Sequence, residues 1–210
     1  MPRVDDYKKA LELGQEEIRN NNPLHLCRLS GAQFVENKHG SPLIKIMFLN
    51  RMITMSWPDI TFTQDSNEEM PIKEKILILH YLNRAKNEEL TGQLIAYQEI
   101  PSARFYLSSF NARSKDPFVH AFGENPDMLP GIAAELFGAK VASLGDVSVT
   151  VHAFPKVPVT FVLWRGDEEF PPNGTILFDS SIKNELLSAE DISELVSMIV
   201  YPLIGRAKQS

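Results

Sequence analysis

Three consecutive carboxylates, Asp167, Glu168 and Glu169, stand between two apolar segments, 157–164 and 176–178, that have the character of buried strands. A carboxylate at the end of a strand can act as a general acid or base, or can help to bind a cation. Adjacent side chains on an extended connection diverge, however, and seldom converge on one ion. The stretch is therefore either a solvated hairpin tip or a site that uses one of the three carboxylates.

The residues around the carboxylates suggest that this loop is ordered. Arg165 can pair with one of the carboxylates, and Phe170 can anchor the loop to the body of the protein. We expect Gly166 to adopt a positive φ, which bends the chain sharply at the strand end. This bend would turn Asp167 toward a pocket, so Asp167 is predicted to behave differently from its two neighbours.

A second group of polar residues surrounds a Pro-Ser pair in the middle of the chain. Arg104, Tyr106 and Arg113 follow Glu99 within a short stretch. Two guanidinium groups can recognise a carboxylate or a phosphate, but they can equally form salt bridges on the surface. Both interpretations stay open at this point.

Metal-binding and redox residues are few. His80 lies in an apolar segment, where it can be an acid, a base, an axial ligand, or a buried histidine with a hydrogen-bond partner. The five histidines are scattered, and no two have the helical spacing that aims both at one metal ion. The lone Cys27 excludes an internal disulfide, a four-cysteine zinc site and a self-contained iron–sulfur cluster. We expect no metal site, and the cofactor is unknown.

Several chemistries leave signatures that this sequence lacks. It has no Rossmann fingerprint, phosphate-binding loop, zinc-protease helix motif, paired-cysteine redox motif or EF-hand. Ser108 and Ser109 lack the Gly-x-Ser-x-Gly turn that exposes a hydrolase nucleophile. The net charge of -6 opposes binding to nucleic acid or to an anionic lipid surface. We therefore expect neither nucleic acid nor a membrane as a partner.

The hydrophobic pattern predicts an α+β fold with a mainly antiparallel sheet packed with helices. Because no linker separates two cores, we predict one domain over residues 1–210. Its β-rich residues 32–63 are predicted to form a small antiparallel meander, which is a strand-rich sub-lobe if there is a division. Helices are predicted at residues 4–20 and 72–86, in pieces over 103–122, and from 125 to near 138, and strands at 91–100, 148–154, 157–164 and 176–178. Residues 172–174 are predicted to form the turn before the last strand.

The chain is predicted to end in an amphipathic helix. Ser188 and Asp191 have the spacing of a variant capping box. Apolar residues then recur at helical spacing, among them Ile192, Val196, Ile199 and Leu203.

The composition favours a soluble cytoplasmic protein. The N-terminal segment lacks the apolar core of a signal peptide, and no segment reaches about 18 consecutive apolar residues. A single cysteine suits a reducing compartment.

Residues 79–203 resemble an uncharacterised family of bacterial and archaeal domains, the domain of unknown function 3786. The most specific motifs are WRGDEEFPP at 164–172 and ILFD at 176–179, followed by the Glu190-Asp191 helix start. Within those motifs the resemblance marks Trp164, Asp167, Glu168 and Asp179.

The resemblance implies a family that is common in anaerobes. Some members follow a cysteine-rich iron–sulfur segment, and their genes often lie near corrinoid or methyl-transfer functions. This sequence has no such segment, and the resemblance implies neither an activity nor catalytic residues.

Two functions remain open from the sequence. One is a binding or accessory module for a tetrapyrrole, a corrinoid-type or other anionic ligand, or a protein partner in anaerobic one-carbon metabolism. The alternative is a hydrolase or isomerase that uses Asp167 or Glu168 as acid or base, assisted by His80 or Arg104. The two differ in whether a carboxylate and a second polar group meet in one concave pocket.

Overall fold

The computed structural model describes residues 4–37, 40–64, 69–184 and 186–209. It has the α+β fold that the sequence predicts, with helices and two antiparallel sheets. The chain divides into two compact units, Met1–Glu89 with Phe154–Lys156, and Leu90–Ala153 with Val157–Ser210. Among the described residues, no helix combines the length and the apolar character needed to span a membrane.

In its described residues, the first unit combines three helices with a four-stranded antiparallel meander. The helices are α1 (Val4–Arg19), α2 (Pro23–Ser30) and α3 (Ile72–Arg84), and the strands, in both chain order and sheet order, are β1 (Gln33–Val35), β2 (Leu43–Phe48), β3 (Arg51–Ser56) and β4 (Phe62–Gln64). The meander follows the prediction for residues 32–63. Its register is set by alternation, because the alternate residues of β2, Ile44, Ile46 and Phe48, are all buried.

Helix α3 forms the centre of the first unit. Its apolar residues cover so wide an arc that Ile76 to Leu79, Tyr81 and Leu82 are all buried. The ring of Tyr81 stacks on Phe154 with ring centroids 4.2 Å apart, and its hydroxyl donates to the carbonyl of Ser30 at 2.6 Å. This hydrogen bond satisfies a polar group that burial would otherwise penalise.

The second unit contains a five-stranded sheet in the order β5-β9-β8-β7-β6. The strands are β5 (Leu94–Ala96), β6 (Lys140–Val141), β7 (Val147–Phe154), β8 (Val157–Trp164) and β9 (Asn173–Asp179). The predicted strand over 91–100 is wrong beyond residues 94–96, because Tyr97–Glu99 turns into a 3-10 helix that Glu99 caps. Strand β8 is buried over almost its whole length, as its continuous apolar run predicts.

Helices of the second unit supply its core. They are α4 (Leu107–Phe110), a π-helical turn Asn111–Lys115, α5 (Asp116–Phe122), α6 (Met128–Phe137) and α7 (Ala189–Ala207). Phe118 of α5 makes an edge contact with Phe161 of β8 at 5.2 Å between ring centroids. Helix α6 ends at Gly138, whose φ of 59° allows the left-handed cap.

Helix α7 begins as predicted. The Ser188 hydroxyl accepts from the N–H of Asp191 at 3.1 Å, and the Asp191 carboxylate accepts from the N–H of Ser188 at 3.2 Å. The side chains predicted to face the core, Ile192, Val196, Ile199 and Leu203, are each 0% exposed.

The predicted turn at residues 172–174 is wrong, because Asn173 and Gly174 belong to β9 and pair with Trp164 and Leu163. Gly174 is needed there for close approach, since a Cβ atom would lie 2.8 Å from Val119 Cγ2 and 2.9 Å from the Val162 carbonyl oxygen. Packing against α5 therefore overrides the turn preference of Asn-Gly.

Candidate functional site

An open groove in the second unit runs between α5 and the segment 165–173. It consists of two adjoining pockets of about 410 and 350 Å³, which share Gly123, Glu124 and Pro172. We call it the α5 groove. Lys115, Asp116 and His120 line the first pocket, whereas Arg165 and Asp167 line the second.

Close backbone approach shapes the floor of the α5 groove. A Cβ atom on Gly123 would lie 2.8 Å from Pro172 Cβ, and one on Gly174 would lie 2.8 Å from Val119 Cγ2. Glycine at both positions therefore lets the end of α5 lie directly against β9 and the loop before it.

The side chain of Asp167 closes the loop 167–170 by accepting hydrogen bonds from two backbone N–H groups of that loop. Its Oδ1 atom accepts from the N–H groups of Glu169 and Phe170, each at 2.8 Å, and its N–H donates to the carbonyl of Phe170 at 2.9 Å. Such a side-chain turn is a common role for aspartate. Asp167 thus differs from Glu168 and Glu169, and its side chain orders the loop.

Glycine at position 166 has a structural role different from the predicted one. Its φ is not positive, so the expected left-handed conformation is wrong. Instead, a Cβ atom at this position would lie 2.7 Å from Pro172 Cδ and 3.0 Å from the Phe170 carbonyl oxygen. The loop folds back so tightly on Pro172 that only glycine fits.

Arg165 pairs with a carboxylate outside the acidic loop. Its guanidinium lies 2.7 Å from Asp127 Oδ1, and its backbone N–H donates to Asp146 Oδ2 at 2.7 Å. The hydrogen bond to Asp127, with the charge of that carboxylate, raises the pKa of Arg165. The expectation that Arg165 holds one of the loop carboxylates is therefore wrong.

Two aromatic residues flank the acidic loop on the surface. Phe170 is 66% exposed, so the expectation that it anchors the loop is wrong. Trp164 is 42% exposed at the end of β8, where a Cβ atom on Gly145 would lie 3.3 Å from its ring. Phe170 lines the second pocket of the α5 groove, whereas Trp164 is not among its lining residues.

Asp179, at the end of β9, has a structural environment. It is 5% exposed, and its Oδ2 atom accepts from the N–H of Gly92 at 2.7 Å. Its Oδ1 atom accepts from Thr91 and from the N–H of Ser181. With both oxygen atoms engaged, Asp179 stabilises the sheet edge and does not contribute a free acid.

Arg104, Tyr106 and Arg113 are exposed on consecutive helical pieces. Arg104 lies in the 3-10 turn Ala103–Phe105, and Arg113 lies in the π-helical turn. Within the described ranges, neither arginine has a hydrogen bond or an ion pair, and nothing brings the two together on one acceptor.

His80 lies on α3 of the first unit, half-buried and with a partner, whereas the candidate carboxylates belong to the second unit. No group of three or more His, Cys, Asp or Glu side chains suited to a metal ion occurs in the part of the chain that is described, which does not include His39.

The sequence did not single out Lys115, Asp116, His120 or Glu124 as site residues. The spacing of Asp116, His120 and Glu124, four residues apart, was a signal that they share one side of a helix and its extension. Their meeting with residues 165–172 depends on tertiary packing, which no local pattern encodes.

These features define an α+β protein with an open, charged groove beside an acidic loop that is closed by its own hydrogen bonds. The chain belongs to the family described as domain of unknown function (DUF3786), whose model matches residues 22–201. The acidic loop and all the lining residues of the α5 groove lie within that match. No curated protein and no solved structure matches the chain significantly.

Proposed function

We propose that this protein is a binding or accessory module and that the α5 groove is its binding surface. The observation that carries the proposal is the pair of adjoining pockets against the WRGDEEFPP segment. Their volumes fall in the range of about 300–1,000 Å³ that is typical of ligand sites.

The geometry favours binding over acid–base catalysis. Asp167 and Arg165 do line one pocket, but Asp167 Oδ1 accepts hydrogen bonds from two N–H groups of its own loop, and Arg165 is paired with Asp127. Of the assistants considered for a hydrolase or isomerase, Arg104 is not among the groove residues and His80 belongs to the first unit. A hydrolase or isomerase centred on Asp167 or Glu168 therefore has less support.

The setting that we propose is the cytoplasm of an anaerobe, with a role in one-carbon metabolism. Its support is the family resemblance described above and, for the compartment, the lone cysteine. The net charge of -6 argues against nucleic acid as the ligand.

Among the ligands left open above, a protein partner suits the α5 groove better than a tetrapyrrole or another anion. Lys115 and Arg165 are its cations, but Asp116, Glu124 and Asp167 are carboxylates, and Asp127 already pairs with Arg165. An anion entering the groove would meet more negative than positive charge.

Glu124 provides the test, because it lines both pockets and is exposed. Wild-type protein and a Glu124→Trp variant are purified anaerobically from the native host. Retained small molecules and cross-linked proteins are then identified by mass spectrometry. Glu12→Trp, at an exposed position of α1 in the first unit, is the matched control.

We expect one retained species to be shared by wild type and Glu12→Trp and to be lost from Glu124→Trp. If Glu124→Trp retains it as well as wild type does, or if wild type retains nothing, the α5 groove is not the binding surface.

A further inference from the structure

We propose that the occupant of the α5 groove is an extended, basic segment of a partner polypeptide, rich in Lys or Arg and carrying apolar side chains. The inference rests on the proposed function, since it names the partner of the same groove. It follows from the charge, the apolar surface and the shape of the groove.

The charge of the groove selects a cationic segment. Asp116 and Glu124 lie along one side and Asp167 along the other, all exposed, and Glu168 and Glu169 extend the negative surface beyond Asp167. Charges of one sign in a cleft raise the local concentration of the opposite charge and speed association.

The two cations of the groove, Lys115 and Arg165, do not cancel the negative charge of its carboxylates. Arg165 is 2.7 Å from Asp127, which offsets its charge. Lys115 lies directly beside Asp116 in the chain, and both line the same pocket. The described residues contain no cluster suited to a metal ion, so the carboxylates are not accounted for as a metal site.

The apolar surface selects a polypeptide rather than a small cation. Phe170 is 66% exposed and lines the second pocket together with Pro171 and Pro172. Aromatic side chains are frequent anchors in protein interfaces. The ring of Phe170 can pack against the aliphatic stem of Lys or Arg, or interact with the cation itself.

The shape of the groove favours an extended segment. Its two pockets adjoin at Gly123, Glu124 and Pro172. In an extended chain every second side chain projects to the same side, so one segment can fill both pockets.

The acidic wall is also preformed. The hydrogen bonds that Asp167 accepts from the N–H groups of residues 169 and 170 hold the loop, and Gly166 packs against Pro172. A wall that is ordered before binding lowers the entropy lost on association.

The test is a selection from a randomised nonapeptide display library on the full-length protein. The selected peptides are synthesised, and their Kd values are measured for wild type, Glu124→Gln, Glu124→Trp and the control Glu12→Gln. We expect the selected peptides to be enriched in Lys and Arg. Their binding should weaken about fivefold to tenfold in Glu124→Gln, disappear in Glu124→Trp, weaken with added salt, and stay unchanged in Glu12→Gln.

Two other outcomes overturn the inference in distinguishable ways. If the selected peptides are acidic or uncharged and their binding is lost in Glu124→Trp, the occupant is not basic, but the groove is still the binding surface. Failure to enrich any peptide over the Glu124→Trp protein would reject a polypeptide occupant. The proposed function would then be decided by the purification experiment, that is, by whether the species that wild type retains is lost from Glu124→Trp.

A second variant guards against misfolding. If Glu124→Trp does not show the thermal unfolding transition of wild type, Asp116→Arg replaces it, because Asp116 is exposed and lines the first pocket. Unchanged binding of basic peptides to Asp116→Arg would overturn the inference.

Discussion

The carboxylate of Asp179 accepts hydrogen bonds from both the backbone N–H and the hydroxyl of Thr91, each at 3.0 Å. Gly92 and Ser181 donate further N–H groups to the same carboxylate. Gly92 has a φ of 74°, which glycine adopts without strain. The aspartate of the ILFD motif therefore clasps the end of β9 to the segment before β5.

Removing this clasp should destabilise the protein. Asp179→Ala leaves three backbone N–H groups without their acceptor, so we expect it to lower the free energy of unfolding by about 2–3 kcal/mol. Urea unfolding measures the change, and Glu168→Ala, which removes an exposed carboxylate, serves as the control. A cost no larger than that of the control would refute the structural role of Asp179.

The lowered pKa of Asp179 also predicts how the stability of the protein depends on pH. Burial by itself raises the pKa of this carboxyl group, but the hydrogen bonds from Thr91, Ser181 and Gly92 outweigh burial and lower the pKa to about 2 from 3.8. Because the pKa is lower in the folded state, the stabilisation is complete above about pH 5 and is lost as the pH falls from about 4 to about 2.

The corresponding measurement compares urea midpoints of wild type and Asp179→Asn across this range. We expect the advantage of wild type to shrink by about 2–3 kcal/mol between about pH 6 and about pH 2. A constant difference would show that the ionised carboxylate is not what stabilises the clasp.

The acidic loop makes a prediction that separates hydrogen bonding from charge. Asp167→Ala removes the acceptor of two N–H bonds and should cost about 1 kcal/mol, whereas Asp167→Asn keeps an acceptor oxygen and should change stability by less than about 0.5 kcal/mol. Glu168→Ala and Glu169→Ala, at exposed positions, should also stay within about 0.5 kcal/mol. Thermal unfolding of the four variants is the measurement, and four indistinguishable curves would disprove the turn role of Asp167.

Helix α7 provides a paired test of burial. Ile199 is 0% exposed, whereas Tyr201 on the same helix is 56% exposed. Ile199→Ala should cost about 2–5 kcal/mol because it leaves a cavity in the core, and Tyr201→Ala should cost less than about 1 kcal/mol. Ser188→Ala should cost about 1 kcal/mol through loss of the capping box. Denaturant midpoints rank the three, and a neutral Ile199→Ala would contradict the assigned face.

The two tryptophans test the prediction of one domain over residues 1–210. Trp57 belongs to the first unit and Trp164 to the second. A single domain unfolds cooperatively, so Trp57→Phe and Trp164→Phe, each with one fluorescent reporter, should show urea transitions with the same midpoint. Midpoints that differ, after correction for the effect of each substitution on stability, would mean that the units unfold separately.

Features with local causes were predictable from the sequence. The capping box at Ser188 and Asp191 needs only residues three apart, and the buried face of α7 follows from the spacing of Ile192, Val196 and Ile199. The meander over residues 32–63 could also be predicted, because more and less buried residues alternate along β2 and β3, and turns separate the strands.

Features with distant causes were mispredicted. Arg165 pairs with Asp127, 38 residues away in the chain, and not with the adjacent loop carboxylates. The turn preference of Asn173-Gly174 yielded to the approach of Val119. Phe170, though apolar, is mostly exposed.

The amino-acid pattern by itself determined the α+β class, the strands and helices with strong periodicity, and the family. Only the tertiary structure decided that Glu124 of the segment after α5 and Asp167 of the acidic loop line one groove, and that Asp179 is a buried clasp rather than a free acid. The physical reason is the range of the interactions. Periodicity and capping act over three or four residues, whereas a groove forms where segments distant in the chain are brought together by burial of apolar surface.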